Sequence, residues 1–472
     1  MADNGDDDSH CRIKEGDYVV LKRGDIFKAA QIQLKKKVIF EKQWIYLDNA
    51  VGHFYRTTFE IGSGGTLLLK TPKEMESSTA AKEAGADNRN IVDDGKSQKL
   101  TRDDIEMLKE QGLKGQEIIQ QLIDNSSTFK DKTEYAQDKY IKKKKKKYEN
   151  TVMILKPSCR ILAMMYHGRE PGKICHLRHD TLAQMLTLAN IHAGSKVLVF
   201  ETCSGLVLGA VMERMGGFGS VIQMYPGGEP LRPGVDSFGF PSHFRDMLHE
   251  FPICHVNALL TGTLNTKTKD PSIDSEKSVL TAKDVQQNKA DVEQQGSPEE
   301  QSREASSVAN TSDDQEKEDR EKRKEAKAQE RKAKLEEKRK KMAAAAALLD
   351  GRNADGLVIA GRFHPCPVLL GLLKFLAPSR PFVVYSQHKE PLIECYTKLK
   401  EVGGTVSLRL TDTWLRHYQV MPNRTHPLLL MSGGGGYLLS GTTVAVDHSK
   451  PAGSLRAEEP APKRLKLTNT EG

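Results

Sequence analysis

The sequence predicts two folded units of different class, an N-terminal antiparallel β unit and a C-terminal α/β unit with a parallel sheet. Between residue 11 and about residue 70, short apolar runs follow one another with only turn signals between them. From about residue 179, apolar runs alternate with segments of helical periodicity, which is the spacing of parallel βαβ units. The second pattern stops near residue 262 and resumes near residue 355, so we expect a long insert inside the α/β unit.

The first part of the N-terminal unit is predicted to hold four strands. They are the apolar runs Tyr18–Leu21, Ala30–Leu34, Val38–Phe40 and Trp44–Leu47. Turn signals rich in Gly, Asp and Asn separate or follow them, at Lys22–Asp25, Asp48–Asn49 and Gly62–Gly65. Because these strands follow one another without a helix, the pattern indicates a small antiparallel barrel or sandwich.

Helical segments are predicted to extend this unit. Thr101 followed by acidic residues resembles a helix N-cap, and we expect one helix from there to Lys109 and a second from Gly115 to Ile123. Thr151–Leu155 has the composition of a strand and is predicted to close the unit. We therefore place the N-terminal domain, with its helical extension, at residues 11–160. Residues 1–10 are expected to be disordered.

The α/β unit is predicted to hold parallel strands with helices between them. Its strand-like runs are Lys196–Phe200, Ser220–Tyr225, Leu357–Ala360, Pro381–Tyr385, Val406–Leu410, Leu428–Met431, Tyr437–Leu439 and Thr443–Ala445. Its helical segments are Thr181–Ile191, Leu206–Met215, Cys366–Leu376 and 390–401. The run Gly433–Gly436 lacks the Lys-Ser/Thr ending of a phosphate loop and is expected to be a flexible turn. We assign the unit to residues 161–261 and 345–446.

The insert, residues 262–344, and the tail, residues 447–472, are too polar to form a core. Residues 262–312 are rich in Ser, Lys, Asp and Gln and are expected to be disordered. Gln315–Leu349 carries Glu and Lys at i,i+4 spacing, which predicts a charged helix of about 52 Å that lies mostly in solvent. The tail is expected to be disordered and contains the basic peptide Lys463–Lys466, which is typical of a nuclear import signal.

Composition and charge exclude several classes of protein. The 472 residues carry 71 Lys and Arg against 63 Asp and Glu, a net charge of +8. No apolar stretch reaches the length of a membrane span, and the acidic start lacks the basic and apolar parts of a secretory signal. The seven cysteines form no C-x-x-C pair, so we expect neither a zinc site nor a disulfide framework. We predict a reducing compartment, the nucleus or the cytosol.

The loop after the first α/β strand departs from the pattern that binds S-adenosylmethionine. Methyltransferases of this fold class place glycines there, in an acid-x-Gly-x-Gly-like loop, so that the backbone can approach the cofactor. Here the loop reads Glu201-Thr-Cys-Ser-Gly205, and the next strand is followed by no acid until Glu229. The loop Gly361–Pro365 offers no polar acceptor for a target base, and Asp355 lies at the wrong end of its strand. We therefore predict no catalytic, cofactor-binding or metal-binding residues in this chain.

Five stretches carry a resemblance to a known family. They are Asn88–Gln98, Asp138–Tyr148, Glu201–Gly209, Arg362–Pro365 and Met431–Gly441. They resemble the non-catalytic subunit of the tRNA (adenine-N1)-methyltransferase that modifies the T-loop adenosine. The resemblance covers most of both units and leaves out the insert and the tail.

The resemblance implies a fold, a function and partners. It implies an N-terminal small β-barrel and a C-terminal Rossmann-like methyltransferase fold with a degenerate cofactor site. It implies a homologous catalytic subunit that binds S-adenosylmethionine, in a heterotetramer of two heterodimers. This chain would bind tRNA, and similar T-loop-like sites in mRNA, without a cofactor of its own. We expect a nuclear protein that has no contact with membranes.

The candidate RNA-binding residues are basic or polar side chains in these stretches and at other basic edges. The six lysines at 142–147 would displace counterions from phosphate, and a guanidinium such as that of Arg362 suits phosphate or base contact. The full set is Asn88, Arg89, Asn90, Lys96, Ser97, Gln98, Lys139, Tyr140, Lys142, Lys143, Lys144, Lys145, Lys146, Lys147, Tyr148, Arg169, His176, Lys334, Arg362, Lys400, Gly403, Gly404, Arg416 and Arg424.

Simpler interpretations of these residues stay open. The lysine run could be a solvated tract or a nuclear signal, residues 88–98 an ordinary loop, Arg362 part of a salt bridge, and Lys334 part of a solvated helix face. Two other functions also stay open. One is an active S-adenosylmethionine-dependent RNA methyltransferase with an unusual loop, and the other is a scaffold or translation factor that does not bind tRNA.

Overall fold

The N-terminal unit is an antiparallel β structure with three helices. The protein is described by a computed structural model at residues 10–70, 85, 97–111, 113, 115–230, 232–264, 312–421, 424–429 and 434–445. The strands of this unit are β1 (Tyr18–Arg23), β2 (Ile26–Gln31), β3 (Lys37–Phe40), β4 (Gln43–Tyr46), β5 (Thr58–Ile61), β6 (Leu67–Leu69) and β7 (Thr151–Leu155). Its helices are α1 (Arg102–Glu110), α2 (Gly115–Asp124) and α3 (Glu134–Tyr148). The first, third and fourth predicted strands, helices α1 and α2 and the late strand β7 are confirmed. The second strand, predicted at Ala30–Leu34, is instead Ile26–Gln31, because the chain from Ile26 pairs with β1 directly after the turn at Gly24.

Five of these strands form one sheet in the order β2-β1-β7-β5-β6, and every described pairing is antiparallel. The late strand β7 lies between two early ones, with Ile154 opposite Leu21 and Val152 opposite Phe59. Strands β3 and β4 pair with each other as a separate hairpin. The antiparallel prediction therefore holds. The predicted barrel does not, because within the described residues the sheet is open and the strands that could close it belong to another sheet.

Alternation along β1 connects the two units. Val19 and Leu21 are buried in the core of the N-terminal unit, whereas Val20 lies in a core shared with helix α4 (Cys159–Arg169). Successive side chains of a strand point to opposite faces of the sheet. One face of the sheet therefore packs against the rest of the N-terminal unit, and the other face packs against α4. Met165 of α4 also accepts a hydrogen bond from the backbone N–H of Ala29, at 3.1 Å.

The C-terminal unit is a seven-stranded, mostly parallel sheet. Its strands are β8 (Lys196–Glu201), β9 (Ser220–Tyr225), β10 (Leu248–Pro252), β11 (Gly356–Ala360), β12 (Pro381–Ser386), β13 (Thr405–Asp412) and β16 (Tyr437–Thr443), with a small hairpin of β14 (Tyr418–Gln419) and β15 (His426–Pro427) beside it. The order is β10-β9-β8-β11-β12-β16-β13. Strand β16 runs in the direction opposite to that of the other six. This is the Rossmann-like arrangement that was expected, with the chain order reversing beside β8.

Helices cover both faces of this sheet. They are α5 (His179–Leu188), α6 (Leu206–Met215), α7 (Ser312–Asp350), α8 (Pro365–Leu372) and α9 (Glu390–Val402). Helices α5 and α6 share one core with α4, whereas α8, α9 and the end of α7 share the other. Strand residues alternate between these cores, so the apolar runs are buried on both sides.

Helix α7 is the charged helix predicted from the insert. Its 39 residues correspond to about 58 Å. Ala345, Ala346 and Leu349 in its last turns are buried, whereas most described side chains between 329 and 341 are exposed. The helix is therefore anchored at its C-terminal end and extends into solvent before it.

Three predictions about residues 428–445 are corrected. Leu428 and Leu429 are exposed and lie outside any strand, following the two-residue strand β15, whereas Met431 lies outside the described residues. The two strands predicted over Tyr437–Leu439 and Thr443–Ala445 are the single strand β16, because residues 437–442 pair with β12 without a break. Gly441 lies within it, where a Cβ would meet the Phe382 ring at 2.7 Å.

The predicted flexible glycine turn is packed in its described part. The Gly435 carbonyl accepts a hydrogen bond from Thr181 Oγ1 at 2.9 Å, and the Gly436 carbonyl accepts one from Thr413 Oγ1 at 3.1 Å. Gly433 lies outside the described residues.

Candidate nucleic-acid interface

The lysine run forms the second half of helix α3. Gln137 and Ile141, four residues apart, are its buried side chains, and Gln137 Nε2 donates to the carbonyls of Phe129 at 3.0 Å and Lys132 at 3.1 Å. Lysine has good helix propensity, and cations in a last turn interact favourably with the helix dipole. The exposed lysines are Lys139, Lys142, Lys143, Lys146 and Lys147, and Lys144 and Lys145 are half-buried. The run is therefore a cationic helix face fixed to the folded unit; we call it the α3 lysine face.

Two tyrosine rings, four residues to either side of Lys144 on α3, contact its ammonium group. Lys144 Nζ lies 5.1 Å from the ring centre of Tyr140 and 6.0 Å from that of Tyr148. Lys132 and Lys147 approach the same rings, at 5.2 Å each. Burial raises the pKa of Tyr140. Both rings are half-buried, so they orient ammonium groups by cation–π contact.

The connector before α1 reaches the same helix. Gln98 Nε2 donates to the Tyr140 hydroxyl at 3.3 Å and to the Leu122 carbonyl at 2.9 Å, and the Ser97 carbonyl accepts from the Ser127 N–H at 2.9 Å. These bonds place the end of the connector beside the α3 lysine face. Four other predicted contacts, Asn88, Arg89, Asn90 and Lys96, lie outside the described residues.

The chain between β13 and β16 brings a second group of candidates to α3. The Arg424 guanidinium lies 4.6 Å from the ring centre of Tyr135 in the first turn of α3, and the Tyr135 hydroxyl bonds Gln419 Oε1 at 3.4 Å. Arg416 lies 5.1 Å from the ring centre of the exposed Trp414. Arg424 thus contacts the first turn of the helix whose second half carries the lysines, although the two are far apart in sequence.

A buried ion pair fixes this segment to the rest of the unit. Arg178 binds Asp180 with both Nε, at 2.6 Å, and Nη2, at 2.8 Å, and its Nη2 also donates to the Thr413 carbonyl at 3.3 Å. Thr181 Oγ1 donates to Thr413 Oγ1 at 3.0 Å. The start of α5 therefore positions the chain that carries Arg416 and Arg424.

Arg169 and His176 form a further basic edge where α4 ends. Both side chains are exposed, and His176 has a left-handed φ of 56°. Burial and the nearby Arg169 charge lower the pKa of Lys28 on β2, so Arg169 lies close to the N-terminal sheet. Burial, followed by the charges of Arg178 and His176, lowers the pKa of His167.

Arg362 lies at the carboxyl edge of the parallel sheet, as its position after β11 predicts. Its side chain is exposed, its backbone N–H donates to Thr202 Oγ1 at 2.9 Å, and its Nη2 donates to the Gly172 carbonyl at 2.5 Å. The described partner of the guanidinium is thus a backbone carbonyl, which leaves its charge available to an anion.

Side chains fill the place where a cofactor loop would open. Cys203 is fully buried, with Sγ 3.6 Å from the Ala360 carbonyl, and Thr202 is bonded to Arg362 as described. Glu201 is turned inward and accepts the N–H groups of Cys203 at 2.9 Å and Leu208 at 3.4 Å. Burial raises the pKa of Glu201 to about 7.

The next strand supplies no group for a ribose. After β9 the first acid is the exposed Glu229, which lies 3.9 Å from Lys338 of α7. An S-adenosylmethionine site needs an open glycine loop and an acid at the end of this strand. The residues present do not fit that cofactor.

Four candidates lie apart from α3 and from Arg362. Lys334 is exposed on α7 and pairs with Glu330 at 2.7 Å. Lys400, Gly403 and Gly404 lie where α9 ends and β13 begins, which is the edge of the sheet opposite Arg362 because β13 runs parallel to β11. Sequence reasoning also missed Tyr135 and Arg178. The spacing of Tyr140, Lys144 and Tyr148 could have indicated a helical face.

Comparison with known proteins identifies the family. The family model described as Gcd10p matches residues 12–289. A Mus musculus protein named tRNA (adenine(58)-N(1))-methyltransferase non-catalytic subunit TRM6 is 58% identical over 97% of this chain and 95% of its own length. A Dictyostelium discoideum protein of the same name is 33% identical over 92% of this chain and 79% of its own length. The structure of an Aquifex aeolicus tRNA (m1A58) methyltransferase, TrmI, aligns with a TM-score of 0.41 and 11% identity over 92% of this chain and 100% of its own.

These comparisons confirm the resemblance inferred from the five stretches. They also confirm the prediction that the chain is not itself the catalyst, since both relatives are named non-catalytic subunits. The match to residues 12–289 spans more than half of the 472 residues. The chain belongs to the Gcd10p family.

Proposed function

We propose that this chain is the tRNA-binding, non-catalytic subunit of a tRNA (adenine(58)-N1)-methyltransferase complex. The observation that carries the proposal is the α3 lysine face, which is fixed to a folded unit, in a chain whose relatives are named for that complex. The chain would hold tRNA so that the T-loop adenosine enters the active site of another subunit. Similar T-loop-like sites in mRNA would be held in the same way.

Phosphate contact is the chemistry that suits this surface. The exposed lysines of α3, and Arg424 against the first turn of the same helix, present cations to solvent. Lysine contacts to phosphate give affinity and register without reading sequence, and RNA folds are recognised largely by shape. Asn88, Arg89, Asn90 and Lys96 would add contacts, because Gln98 at the end of their connector bonds to Tyr140.

The donor and the chemistry would come from a homologous catalytic subunit. The loop at Thr202 and Cys203 supports this division, because these side chains stand where glycines would let the backbone approach S-adenosylmethionine. The segment between β13 and β16 exposes large apolar side chains, namely Trp414, Val420, Leu428 and Leu429, which suits contact with a protein. We propose a heterotetramer of two heterodimers.

We also propose a nuclear location. The support is the basic peptide Lys463–Lys466, which lies outside the described residues. Replacing its lysines and arginine by alanine in the full chain should move a fluorescent fusion from the nucleus to the cytosol. An unchanged distribution would overturn the proposal.

Reconstitution tests the proposed function. The chain and a homologous catalytic subunit are purified separately and together, and transfer of labelled methyl groups to tRNA and binding of tRNA are measured for each. We expect methylation only when both are present and no methyl transfer by this chain alone. Methylation by the lone chain would favour the active-enzyme alternative. Full activity of the partner alone, with no tRNA binding by this chain, would favour the scaffold alternative.

A further inference from the structure

A phenylalanine ring is exposed at the carboxyl edge of the parallel sheet. Phe363 is the third residue after β11, and 52% of its surface is exposed. A single exposed apolar side chain is ordinary on a protein surface, so exposure alone assigns it no role. The carboxyl edge, however, is where open α/β sheets bind their ligands. The position of the ring and its support therefore decide what it can do.

The ring is held in place from its inner side and along its backbone. Its centre lies 6.3 Å from that of the Phe200 ring, at an angle of 52° between the two planes, and Phe200 is buried in the core with α8 and α9. The preceding residue, Arg362, is bonded through its N–H to Thr202, and Pro365 begins helix α8 two residues later. An aromatic ring that is already ordered loses little entropy when a ligand stacks on it.

Arg362 and Phe363 extend to opposite sides of this edge. The Arg362 guanidinium donates to the carbonyl of Gly172, in the turn Pro171–Ile174 that packs with α4, α5 and α6. The Phe363 ring instead lies against Phe200, on the side of the sheet that α8 and α9 cover. A polymer that crosses the edge therefore meets a cation on one side and an aromatic ring on the other.

The surface next to the ring is polar. Residues 387–389 (Gln-His-Lys) follow β12, which runs parallel to β11, so these exposed side chains lie at the same edge, with the exposed Glu390 after them. His364 Nε2 lies 3.3 Å from Glu394 of α9. An exposed ring beside cations is the combination that binds unpaired nucleotides, because the ring takes the base and the cations take phosphate.

We propose that Phe363 is a stacking platform for an unpaired base of bound RNA, and that Arg362 contacts a phosphate of the same strand. This inference rests on the proposed function and adds a nucleotide site to it, apart from the α3 lysine face. Stacking uses the face of a base, which all four bases have, so the platform accepts any of them. The base that stacks here is not the adenosine that is methylated, because that adenosine enters the other subunit.

Phe218 provides a matched control. It is 67% exposed and lies two residues before β9, at the amino edge of the same sheet. Phe363→Ala and Phe218→Ala therefore remove the same exposed ring from opposite edges. Phe363→Trp keeps an aromatic face at the platform.

The affinity of the reconstituted complex for tRNA is measured against salt concentration for each variant. We expect Phe363→Ala to weaken binding about tenfold because a stacked base is lost. The slope of log affinity against log salt should not change, since no phosphate contact is removed. Phe218→Ala should bind as the unmodified complex does, and Phe363→Trp should stay within about threefold of it. Equal affinities for Phe363→Ala and Phe218→Ala would overturn the proposal.

Ultraviolet crosslinking locates the contact without any substitution. The unmodified complex is irradiated with tRNA, digested with nuclease and trypsin, and analysed by mass spectrometry. We expect a nucleotide adduct on Phe363 and none on Phe218. An adduct on Phe218 and none on Phe363 would contradict the platform.

The outcomes separate this inference from the proposed function. If the unmodified complex binds tRNA and Phe363→Ala binds it equally well, the platform is overturned and the proposed function stands. If Phe363→Ala instead loses the catalytic subunit, the ring contacts protein and the platform is again overturned. If the unmodified complex does not bind tRNA, both proposals fail.

Discussion

The backbone N–H of Arg362 donates a hydrogen bond to Thr202 Oγ1 at 2.9 Å. This bond joins the loops that follow β8 and β11, two neighbouring parallel strands, at the edge of the sheet where such folds bind their ligands. The glycine-rich loop of a methyl-donor site would leave this space open. Here a threonine hydroxyl and a backbone amide close it.

The Thr202 hydroxyl can be tested by removing it. Thr202→Val keeps the shape of the side chain and deletes the acceptor of the Arg362 N–H, so we expect a loss of about 1 kcal/mol of stability. Thr405→Val is the matched control, because the buried Thr405 hydroxyl has no hydrogen-bond partner in the described part of the chain. We expect a lower melting temperature for the first variant only. Equal shifts of the melting temperature in both variants would show that the hydrogen bond between the two loops adds nothing to stability.

Glu201 should make stability depend on pH. Burial raises its pKa in the folded state to about 7, above the ordinary value of 4.5. Protonated Glu201 therefore contributes about 3 kcal/mol to the free energy of unfolding relative to the ionised form. This contribution is fully present below about pH 4.5 and is lost as pH rises through 7.

Glu201→Gln cannot titrate and provides the comparison. The melting temperature of the native chain should fall relative to that of the variant between pH 4.5 and 7.5. The amide also loses an acceptor for the Cys203 or Leu208 N–H, which shifts the variant by a constant amount. A difference that stays constant with pH would show that Glu201 does not titrate in this window.

Helix α7 should depend on its last turns for its attachment. Leu349 is 2% exposed and packs in the core with α8 and α9, so Leu349→Ala should cost about 2–5 kcal/mol. Leu335, fourteen residues before Leu349 on the same helix and only half-buried, is the control, and Leu335→Ala should cost less than about 1 kcal/mol. Thermal melting of both variants measures the difference. A similar cost for both would mean that the helix is attached along its length.

Apolar patterning predicted the centre of the sheet and failed at one of its two edges, strand β10. Strands β8, β9, β11 and β12 are continuous apolar runs because both of their faces are covered, and their predicted bounds agree within one or two residues. Strand β10 reads Leu-His-Glu-Phe-Pro and is largely half-buried, so no apolar run marks it. Strand β10 is recognised only from its pairing with β9, which the sequence does not show.

The sequence identified the lysines of the candidate interface but did not predict how they are arranged. The lysine run was identified by composition, but only Gln137 and Ile141 are buried in α3, too few to give a helical apolar stripe. The contact between Arg424 and Tyr135 joins residues far apart in sequence and depends on how Arg178 holds Thr413.

The most direct test of the account concerns the α3 lysine face. One variant replaces the exposed Lys142, Lys143, Lys146 and Lys147 by glutamine. A control variant makes the same change at the exposed Lys35, Lys36, Lys37 and Lys42, which lie on or beside the β3–β4 hairpin, so the net charge changes equally. The affinity of the reconstituted complex for tRNA is measured against salt concentration. Each lost phosphate contact removes about 0.9 from the slope of log affinity against log salt in duplex DNA, so a loss of roughly two to four is expected for the first variant. We predict a weaker affinity and a shallower slope for the α3 variant and little change for the control. The same affinity and slope in both variants would contradict the claim that this face binds tRNA.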